Sequence, residues 1–201
     1  MASSGPTTDR RIAGEDWYAR DLSGEVLERV ELADVDLTEA TGTGATFTEC
    51  TFRGVRFNAA ALVECAFTSC LFSRCSFFDA RLERCKLVGS TFDDCTFDLL
   101  RVDGGNWSFV TLRRAGLGKV RFEGARFREA ELSGVKAGGA VLRGLDLSGA
   151  SLDGADLSGA DLTGSDLSAV DPLRTDLSGA IVTPAQAVVL AESLGLVVRP
   201  D

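Results

Sequence analysis

Every fifth residue from Ile12 to Val182 is, with three exceptions, large and apolar. The series opens Ile12, Trp17, Leu22, Leu27, Leu32 and Leu37, becomes Phe-rich from Phe47 to Phe97, and turns to Leu from Leu142 to Leu167. The exceptions are Gly42, Ala137 and Pro172, and the frame runs for 35 positions without an insertion. Two residues before each centre the side chain is usually small: Ala40, Ala45, Cys50, Ala60, Cys65, Cys70, and later Ala150, Ala155 and Ala160. The other three places in each five are polar, charged or Gly. A period of five matches neither the 3.6 of a helix nor the 2 of a flat strand. It predicts a chain that turns a corner every five residues and buries one large and one small side chain per side. Four corners close a coil of twenty residues, and stacked coils pair their backbones ~4.8 Å apart. Residues 12–182 are the predicted solenoid, a little over eight coils and roughly 40 Å of rod, preceded by a flexible N-terminus over 1–11.

Residues twenty apart then stack. Phe52, Phe72 and Phe92 form one predicted column, Phe57, Phe77 and Phe97 another, and Phe67, Leu87, Trp107 and Phe127 a third. All six cysteines fall at the small inward place, with Cys50 over Cys70, Cys65 over Cys85 and Cys75 over Cys95. Parallel side chains one strand spacing apart sit too far apart for a good disulfide, so six reduced, buried thiols are expected. Arg81, Arg101 and Arg121 stack, as do Glu83, Asp103 and Glu123, which reads as a surface ion-pair ladder or, alternatively, an anion-binding groove.

Composition narrows the function. The 201 residues are 45% hydrophobic and 25% charged, with formal net charge −9 and no His. That charge disfavours nucleic acid and anionic membranes as direct partners. Without His, with three Lys and with no phosphate-binding glycine motif, neither catalysis nor a metal or other cofactor is expected. No apolar run reaches the ~20 residues of a membrane span. The opening "MASSGPTTDRR" lacks the apolar core of a signal peptide, so a cytoplasmic protein is expected.

The charge is uneven. Residues 1–49 carry net −7, 50–140 net +4 and 141–201 net −6. Near the C-terminus Asp146, Asp156, Asp161, Asp166, Asp171 and Asp176 each precede a centre, with Asp153 nearby. Residues 141–180 hold seven acids against Arg143 and Arg174. Two coils span about 10 Å, giving one net charge per ~2 Å against one per ~1.7 Å for duplex DNA. The same aspartates also suit a purely local role, capping backbone groups in turns.

The period stops at Val182. Thr183, Pro184 and Gln186 predict a helix start with a capping box, and Ala187, Leu190, Ala191 and Leu194 share a face. Gly195 ends the helix, and Leu196, Val197 and Val198 read as a short strand. Residues 183–201 are thus a cap for the last coil. Val188, Val189, Leu190, Leu194, Leu196 and Val198 exceed what one face needs, which also makes this segment a candidate two-fold dimer seam.

The small–Asp–Leu/Phe–polar–Gly frame over residues 12–182 resembles the pentapeptide-repeat family. The resemblance implies an all-β fold, the right-handed quadrilateral β-helix, here with a short C-terminal helix. "VDP" at 170–172 and "QAVVLAESLGL" at 186–196 are similar to the quinolone-resistance group, and most to its loop-free mycobacterial type; the unbroken frame leaves no room for the loops of the Qnr branch. That group implies a homodimer that imitates duplex DNA, binds DNA gyrase or topoisomerase IV, and protects it from quinolones or natural gyrase poisons. The acids named above would then be phosphate surrogates. The alternative is a pentapeptide scaffold or regulator for an unrelated protein partner.

Overall fold

The computed structural model describes residues 6–199; of the expected flexible N-terminus, residues 1–5 lie outside the described residues. The chain winds as a right-handed quadrilateral β-helix, with one short helix at its end among the described residues. Its first side carries the centres Ile12, Leu32, Phe52 and onward, and its second side those following Trp17. The third and fourth sides follow from Leu22 and Leu27. Strands Arg10–Ala13, Val30–Ala33, Thr51–Arg53, Leu71–Ser73 and Thr91–Asp93 form a parallel sheet on the first side. Single bridges carry the ladder on through Thr111 and Glu131 to Ser151. The third side holds a six-stranded parallel sheet and the fourth a three-stranded one. The second side is joined by isolated bridges such as Asp16↔Asp36, Ser76↔Thr96 and Asp156↔Asp176.

The twenty-residue register is the one expected. Leu32 pairs with Phe52 and Phe52 with Phe72, while Arg81, Arg101 and Arg121 stand in one row. Phe52 and Phe72 stack with centroids 4.7 Å apart, and Phe57 and Phe77 at 4.9 Å. The core runs from Trp17 to Val170 as one buried column of centres and small residues. Each buried Leu or Phe contributes ~1.5–3 kcal/mol, and each coil relies on its neighbours. Two residues after most centres the backbone turns left-handed: Arg29, Glu49, Arg74 and Leu99 do so with φ of 49° to 61°, and most of the glycines share the place. Gly relieves that strain, which explains the GxxxxG spacing of the late coils.

Four expectations need correction. The N-terminal segment is ordered earlier than residue 12, because Arg10 and Arg11 pair with Val30 and Glu31. Cys95 is half-buried rather than buried, although all six thiols are free. The small inward place is more than a space-filler: Cys50, Cys70, Cys75 and Cys85 donate to the carbonyls of Leu27, Phe47, Phe52 and Leu62, 23 residues earlier. Ser90 does the same to Phe67 at 2.9 Å and Ser165 to Leu142 at 2.7 Å. Finally, Leu196–Val198 carries no regular structure and is exposed, so the expected strand does not form in the single chain.

Candidate protein-binding surface

Each acid before a centre is fixed by its own turn. One carboxylate oxygen of Asp156, Asp166, Asp171 and Asp176 accepts from the N–H two residues on, at 2.9–3.0 Å. Ser158 and Ser148 add hydroxyl bonds to Asp156 and Asp146. The Ser158 hydroxyl, then its amide, holds the Asp156 carboxyl below its ordinary range, and Ser178 does the same for Asp176. Asp156 and Asp176 are therefore charged at neutral pH.

The seven acids divide by their partners. Asp146, Asp153 and Asp161 are paired with Arg128, Arg174 and Arg143. Arg143, with Thr163, pushes the Asp161 carboxyl well below the usual carboxylate range. Asp156, Asp166, Asp171 and Asp176 have no ion pair among the described residues. They lie on different sides: Asp171 on the first, Asp156 and Asp176 stacked on the second, and Asp166 on the fourth. The free negative charge thus wraps the end of the rod. No group of His, Cys, Asp and Glu suited to a metal ion occurs among the described residues.

The expected ladder of Arg over acid forms only in part. Arg121 meets Glu123 at 3.4 Å, but Arg101 reaches back to Asp79 at 3.8 Å and Arg84 takes Glu83. Arg81 has no ion pair among the described residues. The row is therefore zwitterionic and mostly self-neutralised, which removes the case for an anion groove.

The end of the rod is closed by Pro184–Ser193, a helix with the expected capping box. Its buried Gln186 does more than cap the helix. The side-chain amide donates to the carbonyls of Leu162 and Ser165, both at 2.7 Å. Its oxygen accepts from Thr183 at 2.8 Å and Gly164 at 3.3 Å. One side chain thus satisfies groups that the missing next coil would have taken, a role no helix pattern reveals. Leu190 packs against the core, while Val188, Val189, Leu194, Leu196 and Val198 stay exposed. Ile181 and Leu173 are exposed too, Leu173 at 82%. The sequence reading missed both. Leu173 follows the centre Pro172 at an outward place of the frame, and beside it Gly154 donates to Arg174 instead of its neighbour.

A closed parallel coil of five-residue sides defines the class: a pentapeptide solenoid. The chain belongs to the pentapeptide repeat family, whose model matches eight copies over residues 21–58, 108–144, 130–168 and 146–183. It is similar in fold to HetL, a pentapeptide repeat protein involved in heterocyst differentiation regulation from the cyanobacterium Nostoc sp. strain PCC 7120. The TM-score is 0.64 at 22% identity, covering 88% of this chain and 85% of that one. It also resembles trypsin-treated QnrB1, a plasmid-mediated fluoroquinolone resistance protein, with TM-score 0.50, 23% identity, and 97% and 100% coverage. No curated protein matches the chain.

Proposed function

We propose that this protein is a non-catalytic DNA mimic that binds DNA gyrase or a related type II topoisomerase in the cytoplasm and shields it from quinolones or natural gyrase poisons. The observation that carries this reading is the belt of unpaired carboxylates Asp156, Asp166, Asp171 and Asp176 around the last coils, each held by its own turn. A rigid rod with fixed anions meets a cationic DNA-binding surface without the entropy cost of ordering loose side chains. The exposed Val188, Val189, Leu194, Leu196 and Val198 form the proposed two-fold seam. Pairing there would place two acidic ends together at the centre of a doubled rod.

The test replaces Asp156, Asp166, Asp171 and Asp176 by Asn. Asn keeps the oxygen that caps each turn, so the fold is retained while four charges are lost. Gyrase binding is expected to fall at least tenfold and to weaken with salt in the wild type. Unchanged binding of the quadruple variant would reject the mimic. It would favour the second reading, a scaffold for another protein, which the net +4 of residues 50–140 supports.

A further inference from the structure

Among the described residues the backbone ladder is interrupted on the second side in the middle of the rod, as it is again in the last coils at Leu147, Gly149 and Leu152. In the complete rung above it, Arg74, Phe77 and Asp79 donate to the carbonyls of Asp93, Thr96 and Asp98 at 2.9–3.0 Å. One coil further on, the N–H groups of Asp94, Phe97 and Leu99 find no backbone acceptor among the described residues, and neither does that of Gly116. Bridges Ser76↔Thr96 and Gly116↔Lys136 flank the interruption. The ladder is closed again on both sides of it, by Phe92 to Thr111 and by Arg121 to Leu100, each at 2.9 Å.

Other observations mark the same slit. Asp93 and Asp94 stack by register on Arg113 and Arg114, opposite charges that make no ion pair with each other. Elsewhere the same twenty-residue separation gives Asp36–Arg56 at 2.7 Å and Glu64–Arg84 at 3.0 Å. A groove of about 280 Å³ opens between Thr96–Asp98 and Gly116–Lys119, with half-buried Cys95 on its wall.

The cause lies across the core. Trp107 is the centre of the fourth side, opposite the second, and because the coil climbs steadily it stands at a height midway between Phe97 and Leu117. Its stacked neighbours on that side are Leu87 and Phe127, both smaller. The indole is fully buried and its N–H has no partner, so volume and not a polar contact sets its place. Protein interiors have no slack for an extra ring. On the Trp107 side the ladder stays closed, with Leu87 donating to Asn106 at 2.8 Å and Trp107 to Arg126 at 2.7 Å. Gly105 adopts φ 91°, and a Cβ there would stand 2.1 Å from the Cys85 carbonyl oxygen.

We infer that Trp107 is a wedge that builds a hinge into the middle of the rod, closed on the fourth side and open on the second. Closing the slit would restore four ladder bonds and bring Asp94 over Arg114; opening it further bends the two halves toward the fourth side. The inference does not depend on which partner the rod binds.

Amide hydrogen exchange on the full chain tests it. The amides of Phe97, Leu99 and Gly116 are expected to exchange on the order of 100-fold faster than those of Phe77, Asp79 and Thr96. Trp107→Phe and Trp107→Leu, the residue types already present in that column, are expected to reduce the contrast to within about tenfold. Crystal structures of the variants are expected to show a straighter axis. Equal protection of the two sets in the wild type would overturn the hinge. A slit that stays unprotected in both variants would overturn the wedge.

Discussion

Gln186 holds the end of the solenoid, and the cost of removing it follows from its four contacts. Gln186→Ala leaves the carbonyls of Leu162 and Ser165 and the amides of Gly164 and Thr183 without their partner. A buried unsatisfied group costs ~1–3 kcal/mol, but water reaches the rod end once the side chain is gone. The expected loss is therefore about 2–4 kcal/mol in total. Gln186→Glu separates hydrogen bonding from packing. Its carboxylate still accepts from Thr183 and Gly164 but turns a second oxygen on two carbonyl oxygens. Burial and those oxygens raise its folded pKa above the unfolded ~4.3. Deprotonation then favours the unfolded state, so this variant is most stable in acid and loses stability as pH rises from about 4 to 7. Urea unfolding of wild type and both variants at pH 4 and pH 7, with amide exchange at Leu162–Ser165, provides the measurement. In a solenoid the last coil opens first, so exchange there is the more sensitive readout. A cost below about 0.5 kcal/mol for the Ala variant, or a Glu variant with no pH-dependent difference from wild type, refutes the reasoning.

Other consequences are equally direct. Gly105→Ala places a Cβ 2.1 Å from the Cys85 oxygen at φ 91°; it is expected to cost about 3 kcal/mol or more by urea melt, and a neutral result would show that the coil relaxes freely. Ala137 lines a cavity of about 30 Å³ among Leu117, Leu142 and Leu157; Ala137→Val is expected to stabilise by about 1 kcal/mol in thermal unfolding. Arg56, then Thr38, depresses the Asp36 carboxyl to about 2. Its stabilising effect is present above the unfolded value near ~3.9 and is lost as pH falls toward ~2. The acid limb of the unfolding profile should shrink there in Asp36→Asn.

The repeat frame made the fold legible because the period of five is carried by side-chain size alone. Phe52, Phe72 and Phe92 announce their column by count, and the structure stacks them. The turn acids were legible as residue types, but not which of them stay unpaired. Asp161 and Asp166 look alike in sequence, yet only Asp161 has an arginine 18 residues earlier to meet it. Leu196 was read by pattern as part of a strand; it faces solvent because nothing adjoins it in the single chain.

What the sequence determined by itself is therefore the periodic part: the length of each side, the inward and outward places, and the end of the repeat at Val182, while four sides to a coil came with the family resemblance. These depend on residue size at fixed spacing, and each coil obeys the same rule. The tertiary structure decided what breaks the period. Trp107 fits the frame as one more large apolar centre, and only the fixed width of the coil turns its second ring into an open ladder on the opposite side. Gln186 reads as a helix cap, and only the stacking of helix on coil turns its amide toward the carbonyls of Leu162 and Ser165. Local pattern specifies a place, whereas volume and unpaired backbone groups are settled among residues twenty or more apart.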